Sequence, residues 1–272
     1  MPVYIVIDNG SKQPEATLRL RELAAKLSDV VTKTVHPVSL QHADSIEPSE
    51  LNNIPANTFF SFLQQQLKQG EREFVVLPLF FGMSRALSSF IPQQVKLLEE
   101  EFGNFSIKIA DVIFPLPRGE DRLAKILYDN IKLTAAGKAI ENYTVVVVDH
   151  GSPAAKITEV RKQATLKLST LIGENVVVDQ AVMERRAGPE YDFNGDLLED
   201  YLKQQAIKGN NSIIVAMLFF LPGRHAGECG DVQEICDNVV KDFPDLQVLI
   251  TPLISEHELL LSILHDRLLT AE

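Results

Sequence analysis

Two histidines stand just past apolar runs in the second half of the chain. His150 follows Thr144-Val145-Val146-Val147-Val148-Asp149, and His225 follows Phe219-Phe220-Leu221-Pro222-Gly223-Arg224. Neutral imidazole is a good ligand for first-row divalent metals, and its ordinary pKa of about 6.5 also lets it accept a proton near neutral pH. Carboxylates lie nearby in the same half: Glu184 in Met183-Glu184-Arg185-Arg186, just past the apolar run 176–182, and Glu228 three residues after His225. Two imidazoles and a carboxylate make a metal-binding or acid-base set. A lone histidine more often caps a helix or meets a buried carbonyl, but two at comparable places in one half favour shared chemistry.

The elements that must position these residues occur twice. Val3-Tyr4-Ile5-Val6-Ile7-Asp8-Asn9-Gly10-Ser11 lies over Thr144-Val145-Val146-Val147-Val148-Asp149-His150-Gly151-Ser152. Pro78-Leu79-Phe80-Phe81-Gly82-Met83-Ser84-Arg85-Ala86 lies over Met217-Leu218-Phe219-Phe220-Leu221-Pro222-Gly223-Arg224-His225, in the same order and at nearly the same spacing. Internal repetition of this kind fixes the architecture before any single element does.

Within each half, β-branched apolar runs alternate with helical periodicity, the pattern of a parallel sheet covered by helices on both faces. The expected strands of the first half lie near 4–8, 30–35, 73–80 and 106–112, with helices over 15–27, 58–69, 88–102 and 120–133. In the second half strands are expected at 144–149, 175–182, 212–219 and 246–251, with helices over 154–172, 197–208, 228–242 and 256–269. Continuous apolar runs such as 145–148 suit strands buried on both faces. The fold class is therefore α/β, with two duplicated βα domains, each a four-stranded parallel sheet flanked by helices. The join is placed near residue 140, giving domains 1–140 and 141–272.

Ligands of open parallel sheets bind outside the carboxyl ends of the strands. That rule selects His150, the stretch 183–186 and the stretch 223–228. In the first half Asn9 stands for His150 and Ala86 for His225, while Arg85 matches Arg224. The second half reads as the working copy and the first as scaffold, with substrate expected between the halves.

The strand leading into Asp149-His150-Gly151-Ser152 and the stretch Phe219-Phe220-Leu221-Pro222-Gly223-Arg224-His225-Ala226-Gly227-Glu228 resemble the class II tetrapyrrole chelatases, and more narrowly the sirohydrochlorin cobaltochelatase and ferrochelatase family. The resemblance spans the whole chain as two chelatase-like halves. It implies a chelatase-like fold and insertion of Co²⁺ or Fe²⁺, with Ni²⁺ a further candidate, into a cyclic tetrapyrrole without ATP, in sirohaem or cobalamin biosynthesis. It also implies that His150 and His225 are the metal-site histidines and that Glu184 is the accompanying carboxylate, with Glu190 and Glu228 as rivals. Holding M²⁺ over the ring and removing two pyrrole protons fall to these groups, and the proton acceptor among them is left open. The alternative is a carrier that binds tetrapyrrole or metal without turnover.

Sirohydrochlorin carries eight carboxylates, so a chain with 26 basic and 37 acidic residues must offer a local basic lining. Arg185, Arg186 and Arg224 are expected at the working edge, with Arg85 and Arg118 at the matching edge of the first half; guanidinium forks suit carboxylates. Ser152 joins this expected substrate-binding set.

Other chemistries are disfavoured. A net charge of −11 gives no electrostatic drive toward nucleic acid. Ser11 and Ser152 lack the Gly-x-Ser-x-Gly elbow of hydrolases, and no phosphate-cradling glycine motif is present, so no nucleotide is expected. Cys229 and Cys236, on one expected helix, would lie about 10 Å apart along its axis, too far to bridge. Cys229, one helical turn from His225, offers a soft ligand, but reads more simply as a small residue in a helix's first turn. His257 and His265 read as a solvated helix face; His36 and His42 follow the second strand and could relay metal. With no apolar run long enough for a membrane span and no leader pattern at the start, a soluble cytoplasmic monomer is expected.

Overall fold

A computed structural model describes residues 2–138, 140 and 142–272. Two four-stranded parallel sheets are formed, in the orders β2-β1-β3-β4 and β6-β5-β7-β8. The strands are β1 (Val3–Asp8), β2 (Val35–Ser39), β3 (Glu73–Pro78), β4 (Ser106–Ile109), β5 (Thr144–Asp149), β6 (Val178–Val182), β7 (Ser212–Met217) and β8 (Gln247–Ile250). The helices are α1 (Pro14–Val31), α2 (Phe59–Lys68), α3 (Ile91–Phe102), α4 (Asp121–Ala135), α5 (Ala155–Ile172), α6 (Leu198–Ile207), α7 (Asp231–Asp242) and α8 (Leu259–Ala271). The expected α/β class with duplicated βα domains is what the chain adopts.

Val145–Val148 are fully buried, as a central strand with helices on both faces requires. In the second sheet α5 packs with α4, and α6 packs with α7. Residues such as Val146, Val148, Leu198, Leu202, Val215 and Val239 form the core against α6 and α7. An equivalent core in the first sheet joins Ile5, Ile7, Phe59, Leu63, Val76 and Leu98.

Several boundaries differ from the sequence reading. Val30 and Val31 look like the start of a strand but continue α1, whose buried stripe runs Leu20, Leu23, Ala24, Leu27, Val31. That helix ends only where Thr32 turns left-handed (φ 54°) and gives its N–H to Ser28 O, so β2 begins at Val35. The helix expected from 228 starts at Asp231, because Gly227 (φ 102°) and Cys229 (φ 61°) hold the preceding turn left-handed. Cys229 therefore precedes the helix, exposed, while Cys236 is buried within it; both are free thiols. No helix among the described residues is long and apolar enough to cross a membrane.

The join expected between 140 and 141 falls on Glu141, outside the described residues. Compactness divides the chain elsewhere: one unit holds the residues up to Pro115 together with Leu261–Glu272, and the other is Leu116–Leu260. Helix α4, from the first repeat, packs on α5, β7 and β8. Most of α8, from the second repeat, belongs to the first unit, where Arg267 donates from Nε to Val112 O (3.0 Å) and from Nη2 to Ile113 O (3.2 Å). Each repeat thus gives its last helix to the other repeat's unit, and Arg118 falls in the second unit rather than at the edge of the first.

Candidate metal and acid-base site

In the second sheet the chain runs from β5 outward to β6 and then returns past β5 to β7, so the strand order reverses between β5 and β7. A crevice at the carboxyl ends follows from that reversal. His150 leaves β5, Glu184 leaves β6, and His225 lies in the turn that follows β7, all within one unit.

The rings of His150 and His225 meet edge to face, with centroids 4.6 Å apart at 71°. His150 Nε2 lies 3.2 Å from Glu184 Oε1. Its other nitrogen, Nδ1, is 3.1 Å from Gly151 O. Both ring nitrogens of His150 thus face oxygen atoms, Nε2 that of Glu184 and Nδ1 the carbonyl of the next residue. Gly151 sits at φ 92°, and a Cβ there would lie 2.0 Å from Glu184 O; only glycine lets the two loops touch, which seats Glu184 beside His150. Backbone bonds from Met183 N to Asp149 O (2.9 Å) and from Glu184 N to His150 O (3.1 Å) fix the register.

A buried polar network supports the His150 turn from below. Arg161 on α5, 1% exposed, donates from Nη1 to Asp149 Oδ1, from Nε to Gln180 Oε1 (3.0 Å) and from Nη2 to Asn194 O. Burial lifts the Asp149 carboxyl above its ordinary pKa, and the Arg161 guanidinium pulls against that lift. Asp149 Oδ1 also accepts from Gly151 N (3.1 Å), and Asn194 grips the backbone of Ser152 through Ser152 N (3.1 Å) and O (2.9 Å).

Sequence reasoning missed Asp231. Its Oδ2 lies 2.6 Å from His225 Nδ1, and Arg224 Nε is 3.6 Å from the same oxygen. Because a carboxylate only accepts, Nδ1 carries the hydrogen and Nε2 is left as the basic atom of His225. An acid at the first position of the helix after the histidine turn was the available signal.

The remaining expected residues take varied places. Arg185 pairs with Asp192 at 3.1 Å, Arg186 lies 5.8 Å over the Tyr191 ring, and Arg224 is largely exposed. Ser152 Oγ accepts from Ala154 N (3.1 Å) and so orders the approach to α5. Glu190 and Glu228 are exposed, and neither is ion-paired with His150 or His225. Arg85 belongs to the first unit, as the counterpart of Arg224. Among the described residues no group of three or more His, Cys, Asp and Glu is arranged as a ready metal cage.

The first unit repeats the same backbone with the reactive groups gone. Leu40 N bonds Asp8 O as Met183 N bonds Asp149 O, and a Cβ on Gly10 would strike Gln41 O as one on Gly151 would strike Glu184 O. Asn9, Gln41 and Ala86 therefore stand where the second unit has His150, Glu184 and His225.

Comparison with known proteins agrees with this duplication. A family model described as CbiX matches residues 3–131 and again 144–271. No curated protein matches the sequence. Among solved structures the chain is similar to SirB from Bacillus subtilis with Fe3+, with TM-score 0.71, 15% identity, and coverage of 100% of this chain and 96% of that one. It is also similar to the sirohydrochlorin chelatase SirB from Bacillus subtilis subspecies spizizenii in complex with cobalt (TM-score 0.66, 13% identity, 100% and 95% covered). A third similar structure is CbiX, the terminal enzyme for biosynthesis of siroheme in denitrifying bacteria (TM-score 0.64, 14% identity, 100% of both chains).

Proposed function

The chain belongs to the CbiX family, and from that membership we propose that it is a sirohydrochlorin chelatase, an ATP-independent lyase-type enzyme that inserts Co²⁺ or Fe²⁺ into the tetrapyrrole in the formation of sirohaem or cobalamin. The observation that carries this reading is the asymmetry of the duplicated chain: His150, Glu184 and His225 gather in one unit, and Asn9, Gln41 and Ala86 replace all three in the other.

The reaction exchanges two pyrrole protons for one M²⁺. The metal enters as substrate, and His150 Nε2, His225 Nε2 and Glu184 are the groups that receive it. Glu184 is largely exposed and free to turn, so it can follow the metal or take a ring proton as the cation transfers. An open, incompletely closed set suits delivery, because a closed four-ligand cage retains its metal. Arg224, Arg185 and Arg186 are the proposed partners of the substrate carboxylates, together with Ser152. The two free thiols fit a reducing, cytoplasmic setting.

The test is anaerobic absorbance of sirohydrochlorin with Co²⁺, Fe²⁺ or Ni²⁺ and catalytic amounts of the protein. We expect spectral conversion over many turnovers, reduced by at least about a hundredfold in His225→Ala and His150→Ala but unchanged in Asn9→Ala. Conversion that stops at one equivalent would replace the enzyme with a carrier on the same scaffold.

A further inference from the structure

The place that a buried arginine takes in the second unit is bordered by a cavity in the first. In the second unit the Arg161 guanidinium reaches Asp149, Gln180 and Asn194, and Thr158 Oγ1 bonds Asn194 Oδ1 (3.0 Å). Strand register and helix position put Leu20 where Arg161 stands, Pro37 at Gln180, Pro55 at Asn194 and Thr17 at Thr158. All four line one cavity of about 270 Å³ between α1, β2 and the segment before α2. A long cation and two amides have given way to a leucine and two prolines. The volume lies just under the roughly 300–1,000 Å³ of ordinary ligand pockets, so it suits a small molecule.

Among the described residues Arg21, next to Leu20 on α1, brings the charge to this lining. Its Nη1 donates to Leu51 O (3.0 Å) and its Nη2 to Ile54 O (2.7 Å) and Pro55 O (3.2 Å), which fixes the guanidinium against the loop. Three of its five N–H groups are used in this way, all on neutral carbonyls, and Nε and one Nη1 hydrogen have no partner among the described residues. Desolvation pulls the Arg21 pKa down, and no acidic group opposes the pull. A partly buried cation without an acid carries uncompensated charge. The rest of the lining is largely apolar, with the rings of Phe62 and His36 tilted together at 5.1 Å between centroids. Burial lowers the His36 pKa, so near neutral pH its ring adds no second charge.

We propose that this cavity binds a small aromatic carboxylate, its ring among Leu20, Pro37, Pro55 and Phe62 and its carboxylate on Arg21. A charge-assisted hydrogen bond from the guanidinium to a carboxylate oxygen is roughly twice as strong as a neutral one, and it supplies the acid that Arg21 lacks. Three carbonyls already hold the guanidinium, so little freedom is lost when the anion arrives. No Asp or Glu lines the cavity to repel it. The cavity belongs wholly to the first unit, so the proposal holds whatever reaction the second unit performs.

The experiment titrates the full chain with sodium benzoate near neutral pH at constant sodium and ionic strength. It follows the melting temperature and the ¹⁵Nε signal of Arg21 in arginine-labelled protein. Both are expected to respond saturably. Sodium acetate carries the charge without the ring and benzamide the ring without the charge, and each is expected to need about tenfold more ligand or more. Arg21→Gln is expected to weaken benzoate by about tenfold or more, read from the melting temperature. Leu20→Phe, which extends a ring into the cavity and leaves Arg21 in place, is expected to abolish the response and supplies that arm should Arg21→Gln fold poorly. Absence of a saturable response to benzoate, an equal response to acetate or benzamide, or an undiminished response in a folded variant overturns the proposal.

Discussion

The 2.6 Å contact between His225 Nδ1 and Asp231 Oδ2 decides which nitrogen of that histidine is open to a cation. An amide at position 231 could donate to Nδ1 instead and push the hydrogen to Nε2, where it blocks ligation. Asp231→Asn is therefore expected to lower metallation by roughly 10–100-fold with little change in stability, read as kcat/KM with the metal varied. Asp8 makes the opposite kind of prediction. Its folded pKa of about 6 exceeds the ordinary 3.8, so the folded state holds the proton more tightly and stability is lost as pH rises from about 4 through 6. The loss amounts to about 3 kcal/mol. Urea unfolding of the natural chain and Asp8→Asn across that window checks this: the variant's relative stability should grow with pH. At this scale His150 and His225 were legible because the chain supplies its own comparison in Asn9 and Ala86. Glu184 became distinct from Glu190 and Glu228 only with the strand register, and Asp231 needed the turn geometry.

Helix α5 illustrates what periodicity reveals and what it leaves out. Its buried positions Thr158, Arg161, Ala164, Thr165 and Leu168 follow helical spacing, and an arginine on that stripe signals a buried partner without naming it. Asp149, Gln180 and Asn194 come from three other segments, so only the fold assembles them. Arg161→Leu, which copies the first unit, strands Asp149 in the interior. It is expected to cost about 3–5 kcal/mol by denaturant unfolding, since one member of a buried pair is left alone. The same cause shapes the errors in element boundaries. Val30 and Val31 carry strand-like side chains, yet the apolar stripe of α1 and the left-handed Thr32 determine where that helix stops.

At the scale of the molecule, the sequence repeat and the compact unit are different objects. Residues 261–272 belong with the first unit, and α4 belongs with the second. Hydrophobic periodicity says that a helix has a face to bury but not which sheet receives it, so this exchange was illegible beforehand while the two four-stranded sheets were not. Ending the chain after Leu260 is expected to strip hydrogen-exchange protection from β1 and β3 while β5 and β7 keep theirs. Protection lost equally from both sheets would contradict this division.

The exchange also orders the birth of the protein on the ribosome. Synthesis is vectorial, and domains fold as their parts emerge. The first sheet is made early, but its unit still lacks residues 261–272 when the unit bearing His150 and His225 has all its parts, at Leu260. The half made second is complete first, and the half made first must wait exposed. Its buried strands β1 and β3 are where a chaperone has the most to shield during translation.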